Sequence, residues 1–312
     1  MSKLKALLTR EIIEHRTGMI TAPAVIMTLM TLLTIGTMAF GLGKIGMASG
    51  GSVHDIGDLL NKLAEAEPFE KDGIVISFLS AVSMPALLIL PIVMFFIALG
   101  ALYEERRDRS FLFWKSMPVS DSQEVLVKFG AAMLIAPLAF LIIGILFQLL
   151  MLLMLTGLGL LSGGAVGSIW QLDAMLLNWI HAPVYMMFWA LWASPVYAWV
   201  LLSGSFAPRA PFMFAVVPPV ALIVIEEVLL DSQHFAKWLG THLSAFPMLE
   251  AISKAGGVPK FDDPEMPEVM MYMARPTFGP LFESLAMPEF WIGVAIAALL
   301  LAATVRMRRY IV

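Results

Sequence analysis

The chain has no cysteine among its 312 residues. A disulfide framework, a thiolate metal site and a cysteine nucleophile are therefore excluded. Charge is scarce too: Asp, Glu, Lys and Arg make up 14% of the residues, against roughly 25% in ordinary soluble domains. No Gly-x-x-x-x-Gly-Lys-Ser/Thr sequence occurs, so the chain cannot by itself bind ATP in P-loop fashion. Neither His-Glu-x-x-His nor Gly-x-Ser-x-Gly is present. The histidines (His15, His54, His181, His234 and His242) do not fall at metal-ligand spacing with one another or with carboxylates. Ser194 and the other serines of the apolar runs have no His and Asp at a matched depth, which leaves intramembrane hydrolysis without a constellation.

What fills the sequence instead is apolar. Hydrophobic residues are 59% of the chain and the mean hydropathy is +0.84. Apolar runs longer than about 20 residues define an all-α polytopic membrane protein. Six spans fit, at 18–42, 74–103, 125–158, 177–204, 211–230 and 288–307, within one transmembrane domain covering 1–312. The second and third exceed the ~20 residues that cross a bilayer core, so they are expected to tilt or to project past it.

Residues 2–17 carry Leu4, Leu7, Leu8, Glu11 and Ile12 at helical spacing, with Lys3, Lys5, Arg10 and Glu14 on other faces. They read as an amphipathic interfacial helix, or more plainly a frayed charged terminus, rather than a signal peptide, whose charged region would be shorter. Two outer loops remain, 43–73 and 231–287. The first holds an acidic amphipathic stretch near 56–67. In the second, Trp238, Leu239, Leu243, Phe246 and Leu249 suggest an interfacial or partly re-entrant helix, followed by an ordered loop over 258–288. No second soluble domain and no convincing internal repeat is evident.

Basic residues set the expected orientation. Lys3, Lys5, Arg10, Arg16, Arg106, Arg107, Arg109, Lys115, Lys128, Arg209, Arg306, Arg308 and Arg309, thirteen of the twenty, fall on one side of this topology. The positive-inside rule then places both termini in the cytoplasm, as an even span count also requires.

Several features have a plain and a functional reading. Gly41-Leu42-Gly43-Lys44-Ile45-Gly46 matches Gly-x-Gly-x-x-Gly as text, but it closes a membrane span and lacks the strand-turn-helix setting that dinucleotide binding needs. Glu226 and Glu227 lie near the outer end of the fifth span. They either line a translocation path or mark a wetted helix end, and as helical neighbours they point about 100° apart, so they should be unequal. Pro85, Pro91, Pro137, Pro183, Pro195, Pro218 and Pro219 fall inside spans, where each can kink a helix. The 23 methionines fit a pliable apolar surface.

The strongest signal is a charged loop caught between the second and third spans. It reads Glu104-Glu105-Arg106-Arg107-Asp108-Arg109-Ser110-Phe111-Leu112-Phe113-Trp114-Lys115-Ser116-Met117-Pro118-Val119-Ser120. Mixed charges rule out hydrocarbon, and bulky aromatics suit a short docking helix gripped by another protein. Pro118 should end that helix. Ser120 should cap the third span, with Gln123 completing a capping box. Glu104 and Glu105 should pair with basic residues of the loop or of the N-terminal helix.

This Glu-Arg-Arg … Ser-x-Pro-Val-Ser pattern resembles the first cytoplasmic loop of type-2 ABC transporter permeases, with a weaker echo in Pro208-Arg209-Ala210-Pro211. The resemblance implies a bacterial cytoplasmic-membrane exporter subunit whose coupling helix between spans two and three docks on a separate ATPase. Glu104, Glu105, Arg106, Arg107, Asp108, Phe111, Phe113, Trp114 and Pro118 would form the docking element. Two permease copies, in a homodimer, and two ATPase subunits would complete the machine, with ATP and Mg bound by the ATPase and no cofactor by this chain. Nucleic acid is not an expected partner. The rival reading is a membrane scaffold that recruits cytoplasmic proteins through the same loop and moves nothing.

Overall fold

The computed structural model describes residues 3–39, 53–109, 119–243 and 278–310, and every regular element among them is helical. Helix α1 (Lys3–Glu14) leads through a π-turn (Thr17–Thr21) into α2 (Ala22–Ala39). Next come α3 (Val53–Glu65), α4 (Pro68–Arg107) and α5 (Asp121–Gly130). A second π-turn (Ala131–Ile135) joins α5 to α6 (Ala136–Leu161), and a 3-10 turn (Val166–Ile169) precedes α7 (Leu172–Phe206). The chain continues with α8 (Pro211–Leu230), α9 (His234–Leu243), α10 (Gly279–Leu285) and α11 (Pro288–Tyr310).

Six segments are long and apolar enough to cross a membrane: Thr17–Gly36, Pro68–Arg107, Asp121–Leu161, Val166–Phe206, Pro211–Leu230 and Pro288–Tyr310. The chain is a multi-pass helical membrane protein. The three middle segments run to 40 or 41 residues. At 1.5 Å per residue each spans ~60 Å, about twice a hydrocarbon core, so they reach well beyond it. The Gly41–Gly46 stretch lies outside the described residues.

The two π-turns share one local pattern. In each, an alanine N–H reaches back five residues, Ala22 to Thr17 O and Ala136 to Ala131 O. The next residue is a proline, Pro23 or Pro137, which has no N–H to continue the ordinary ladder. Widening the turn by one residue absorbs that loss. Thr17-Gly18-Met19-Ile20-Thr21-Ala22-Pro23 and Ala131-Ala132-Met133-Leu134-Ile135-Ala136-Pro137 thus build the same device, each with a buried methionine third in line. The sequence reading found no repeat because the recurrence spans only seven residues. Pro137 sits in the first turn of α6, where a proline is tolerated. Pro85, Pro91, Pro183, Pro195, Pro218 and Pro219 are inside helices as expected.

Helix α7 is the most buried span and packs along α4 and α11. Its closest approach is at Gly204, where a Cβ would lie 2.5 Å from the carbonyl oxygen of Leu99 on α4. Only glycine allows the two backbones to meet there, the small-residue contact that lets membrane helices pack closely. At the end away from the termini, α3 lays Leu60 and Leu63 over Val75, Ile76, Leu79, Leu152 and Met175. Asn61 Oδ1 fixes the helix by accepting from Ala165 N at 2.9 Å. In contrast, α8 buries only Ala215 and exposes Phe212, Val217, Leu222, Val228, Leu229 and Leu230. Such a surface is stable only in lipid or against another apolar surface.

Candidate functional site

The charged loop leaves the bundle at the end of α4. Asp108 N–H bonds Glu104 O at 2.9 Å, and Arg109 turns left-handed at φ 56°, which stops the helix. The chain re-enters at α5 through the capping box that the sequence predicts. Ser120 Oγ accepts from Gln123 N at 3.2 Å, and Gln123 Oε1 accepts from Ser120 N at 3.3 Å. Phe111, Phe113, Trp114 and Pro118 lie outside the described residues.

The two roots of the loop are held by a buried cluster of charges. Glu105, 2% exposed, is its centre. One carboxylate oxygen takes the guanidinium of Arg10 from α1 and the ammonium of Lys128 at 3.0 Å from α5. The other takes Arg308 Nη1 at 3.2 Å from α11. Lys128, with no exposed side-chain surface, also donates to Glu11 Oε1 at 2.9 Å. Arg308 reaches on to Glu124 Oε2 at 2.6 Å and Asp121 Oδ1 at 3.4 Å. Arg10 also approaches Glu124 at 3.7 Å and Glu14 at 3.3 Å.

Three cations, Arg10, Lys128 and Arg308, thus face three buried anions, Glu11, Glu105 and Glu124. Glu14 and Asp121 lie on the wetter rim, with side chains 29% and 28% exposed. An isolated charge at this depth would lose its hydration without replacement, so the balance is what makes the cluster tolerable. Burial alone would lower the Arg10 pKa. The hydrogen bond to Glu105 and the charges of Glu105, Glu11 and Glu14 outweigh it and hold the guanidinium above its ordinary value.

Mechanically, the cluster ties α1, the end of α4, the start of α5 and the end of α11 into one junction. Arg106 adds a fifth element by donating through Nη2 to the carbonyl of Ala207, the C-cap residue of α7. An apolar layer of Ala101, Leu102, Val125 and Leu201 packs behind it. A force on the loop therefore meets a braced base rather than two frayed helix ends.

Of the residues singled out in the sequence, Glu105 and Arg106 belong to this junction. Glu104 is exposed and makes no ion pair among the described residues. Arg107 and Asp108 are exposed and pair with each other at 3.0 Å. Glu105 does pair with the N-terminal helix, through Arg10. Sequence reasoning missed Glu11, Asp121, Glu124, Lys128 and Arg308 as the other members of the junction. Asp121, Glu124 and Lys128 do share one helical face, at spacings of three and four, and that was the available signal.

Glu226 and Glu227 are set well apart from the cluster, near the opposite end of α8, and they are unequal. Glu226 Oε1 accepts from His234 N at 2.8 Å and Ser232 Oγ at 2.9 Å, and Oε2 accepts from Phe235 N at 2.8 Å. This carboxylate satisfies the free N–H groups at the start of α9. Glu227 receives only Gln233 Nε2, at 3.2 Å. Glu226→Ala should speed hydrogen exchange over residues 232–243, while Glu227→Ala should leave it unchanged. Equal protection in the two variants would remove the capping role.

No protein-family model, curated protein or solved structure matches this chain.

Proposed function

We infer that this chain is the transmembrane permease subunit of an ATP-driven exporter of the type-2 ABC kind, with the ATPase on a separate polypeptide. The observation that carries the reading is the charged loop of residues 104–122, rooted on both sides in a buried ionic junction. A loop that only tethers a partner needs no such base. A loop that transmits a push does, because slack at its roots would dissipate the motion before it reached the spans.

In this reading Phe111, Phe113 and Trp114 dock on the ATPase and Pro118 ends the docking helix. ATP and Mg close an ATPase dimer beneath two copies of the permease. The push passes through Glu105 to α4, α5, α1 and α11 together. The chain does no bond chemistry. It offers its substrate different affinity in two states, and hydrolysis on the partner drives the exchange between them. The apolar walls suit a hydrophobic or amphipathic substrate. Both termini lie in the cytoplasm, and the membrane is the bacterial inner membrane.

Purification of the complex from its native membrane, followed by mass spectrometry, tests this. A co-purifying P-loop ATPase whose turnover changes with the permease present is the expected result. Partners without an ATPase would favour the scaffold reading. Orientation is checked by single cysteines, which are unambiguous in a chain that has none. Arg107→Cys should be shielded from an impermeant reagent in cells with an opened outer envelope, and Ser253→Cys should label. The reverse pattern would invert the topology.

A further inference from the structure

On the far side of the bundle from the ionic junction, one buried polar group has a different character. His242, on the last turn of α9, is 1% exposed. Its ring stacks on Trp192 of α7 at 5.1 Å and 14°, and lies 4.4 Å from the ring of Trp238 on its own helix. Nδ1 lies 2.9 Å from the carbonyl oxygen of Trp238. An oxygen there can only accept, so Nδ1 carries the proton and Nε2 of the neutral ring presents a bare lone pair. Nε2 is buried and has no hydrogen-bond partner among the described residues. It is pressed against Gly293 of α11, where a Cβ would lie 2.7 Å from it.

Depth makes this arrangement consequential. Gly293 is fifteen residues from Arg308 along α11, and Trp192 is fourteen from Phe206 along α7. At 1.5 Å per residue, His242 therefore sits ~22 Å from the charged end. The seat is formed by Trp192, Trp238 and Gly293, with Phe290 packed on Trp192 and Pro195 beside Gly293.

We propose that His242 is a proton-sensitive latch, holding α9 against α7 and α11 while neutral and releasing it when protonated. A second proton would have to go on Nε2, where it would face Gly293 with no acceptor among the described residues. The tryptophan faces would attract a cation, but burial outweighs them and holds the ring's pKa below its ordinary value. No charged side chain helps or hinders from any packed element among the described residues. His234 and Lys237 of α9 are exposed, Glu226 of α8 is engaged in capping the other end of α9, Glu289 of α11 is exposed, and α7 offers only aromatic and small groups at this level.

The sign follows. The docked ring has the lower pKa, so docking is at full strength above the undocked value of 6.5 and weakens as pH falls below it. Trp192 reinforces the docked state through its indole N–H, which donates to Thr241 O at 2.7 Å. The release of α9 would uncover the upper part of α7 and α11. The latch stands on this geometry alone and does not depend on the exporter reading.

The test uses the full chain in detergent or nanodiscs, with one cysteine placed at Ala236, half-buried on α9, and a separate control cysteine at exposed Lys237. The measured quantity is the ratio of their methanethiosulfonate labelling rates, which cancels the pH dependence of the thiol itself. Between about pH 7.5 and about pH 5.5 the ratio should rise, by up to roughly tenfold per unit of pH. In a His242→Phe background, which keeps a flat ring but cannot titrate, it should stay low and flat. Gly293→Ala, which intrudes on Nε2, should raise the ratio at neutral pH and remove its pH dependence. A flat wild-type ratio overturns the latch, as does an unchanged rise in His242→Phe. Should His242→Phe fail to fold, Gly293→Ala decides. A neutral-pH ratio and midpoint identical to wild type there would also overturn it.

Discussion

Replacing Lys128 with methionine is expected to destabilise the protein severely, although the substitution removes a cation from an apolar helix. Lys128 has no exposed side-chain surface and stands between Glu11 and Glu105, at 2.9 and 3.0 Å. Without it the cluster holds three buried carboxylates against two guanidinium groups. Breaking a buried ionic group by removing one partner costs about 3–5 kcal/mol, because the remaining charges stay buried and unmatched. That is a large share of a typical folding free energy of 5–15 kcal/mol, about the scale on which single changes abolish folded yield. Thermal unfolding of the purified protein in detergent gives the readout. A Lys128→Met protein melting within about 2 °C of the parent would show that the cluster is not a structural junction. Combining Lys128→Met with Glu11→Gln and Glu105→Gln removes the unmatched charge and should recover most of the loss, since a buried ionic group and a well-packed neutral one are often of similar stability. Arg107→Ala, which breaks only an exposed pair with Asp108, should leave the melting temperature where it was.

The second large effect concerns function rather than folding. On the proposed exporter function, truncating both Phe113 and Trp114 to alanine should abolish ATPase association, or leave hydrolysis running without transport, while the membrane bundle melts as before. Large aromatic anchors dominate interface energy, and truncating a hot-spot residue costs about 2 kcal/mol or more, or about thirtyfold in affinity. Melting and partner binding must be measured on the same preparation, because the contrast with Lys128→Met is what matters. That change should damage folding first, whereas this one should spare it. Normal co-purification and normal transport by the double variant would end the coupling-helix reading.

The fold was largely legible in the sequence because lipid imposes a simple rule. A chain that must satisfy every backbone group inside hydrocarbon has to be helical there, so long apolar runs give the number and place of the spans directly. The fifth span matches its helix at both ends, Pro211 and Leu230, and the last begins at Pro288 as expected. Local chemistry was equally transparent at Ser120 and Gln123, because a capping box involves neighbours three residues apart. Helix lengths were less so. Projecting ends such as Pro68–Gly73 and Leu172–Leu176 are not all apolar, and a hydropathy window stops before they do.

What the sequence determined by itself was the class of the protein, its six spans, and a charged loop with aromatic anchors between the second and third. Only the tertiary structure decided which charges belong together. Glu105 meets Arg10 across 95 positions and Arg308 across 203, and Lys128 meets Glu11 across 117. Apart from the face that Lys128 shares with Asp121 and Glu124, nothing local distinguishes these residues from exposed neighbours such as Glu104 and Arg107. Helical periodicity says which residues share a face, but the identity of the helix opposite is set by packing. Gly204 against Leu99 fixes how closely α4 and α7 approach, and the paired π-turns set how α1 and α5 enter the bundle. A buried charge is stable only where such packing has already brought its partners to the same place, so the junction could emerge only from the folded bundle.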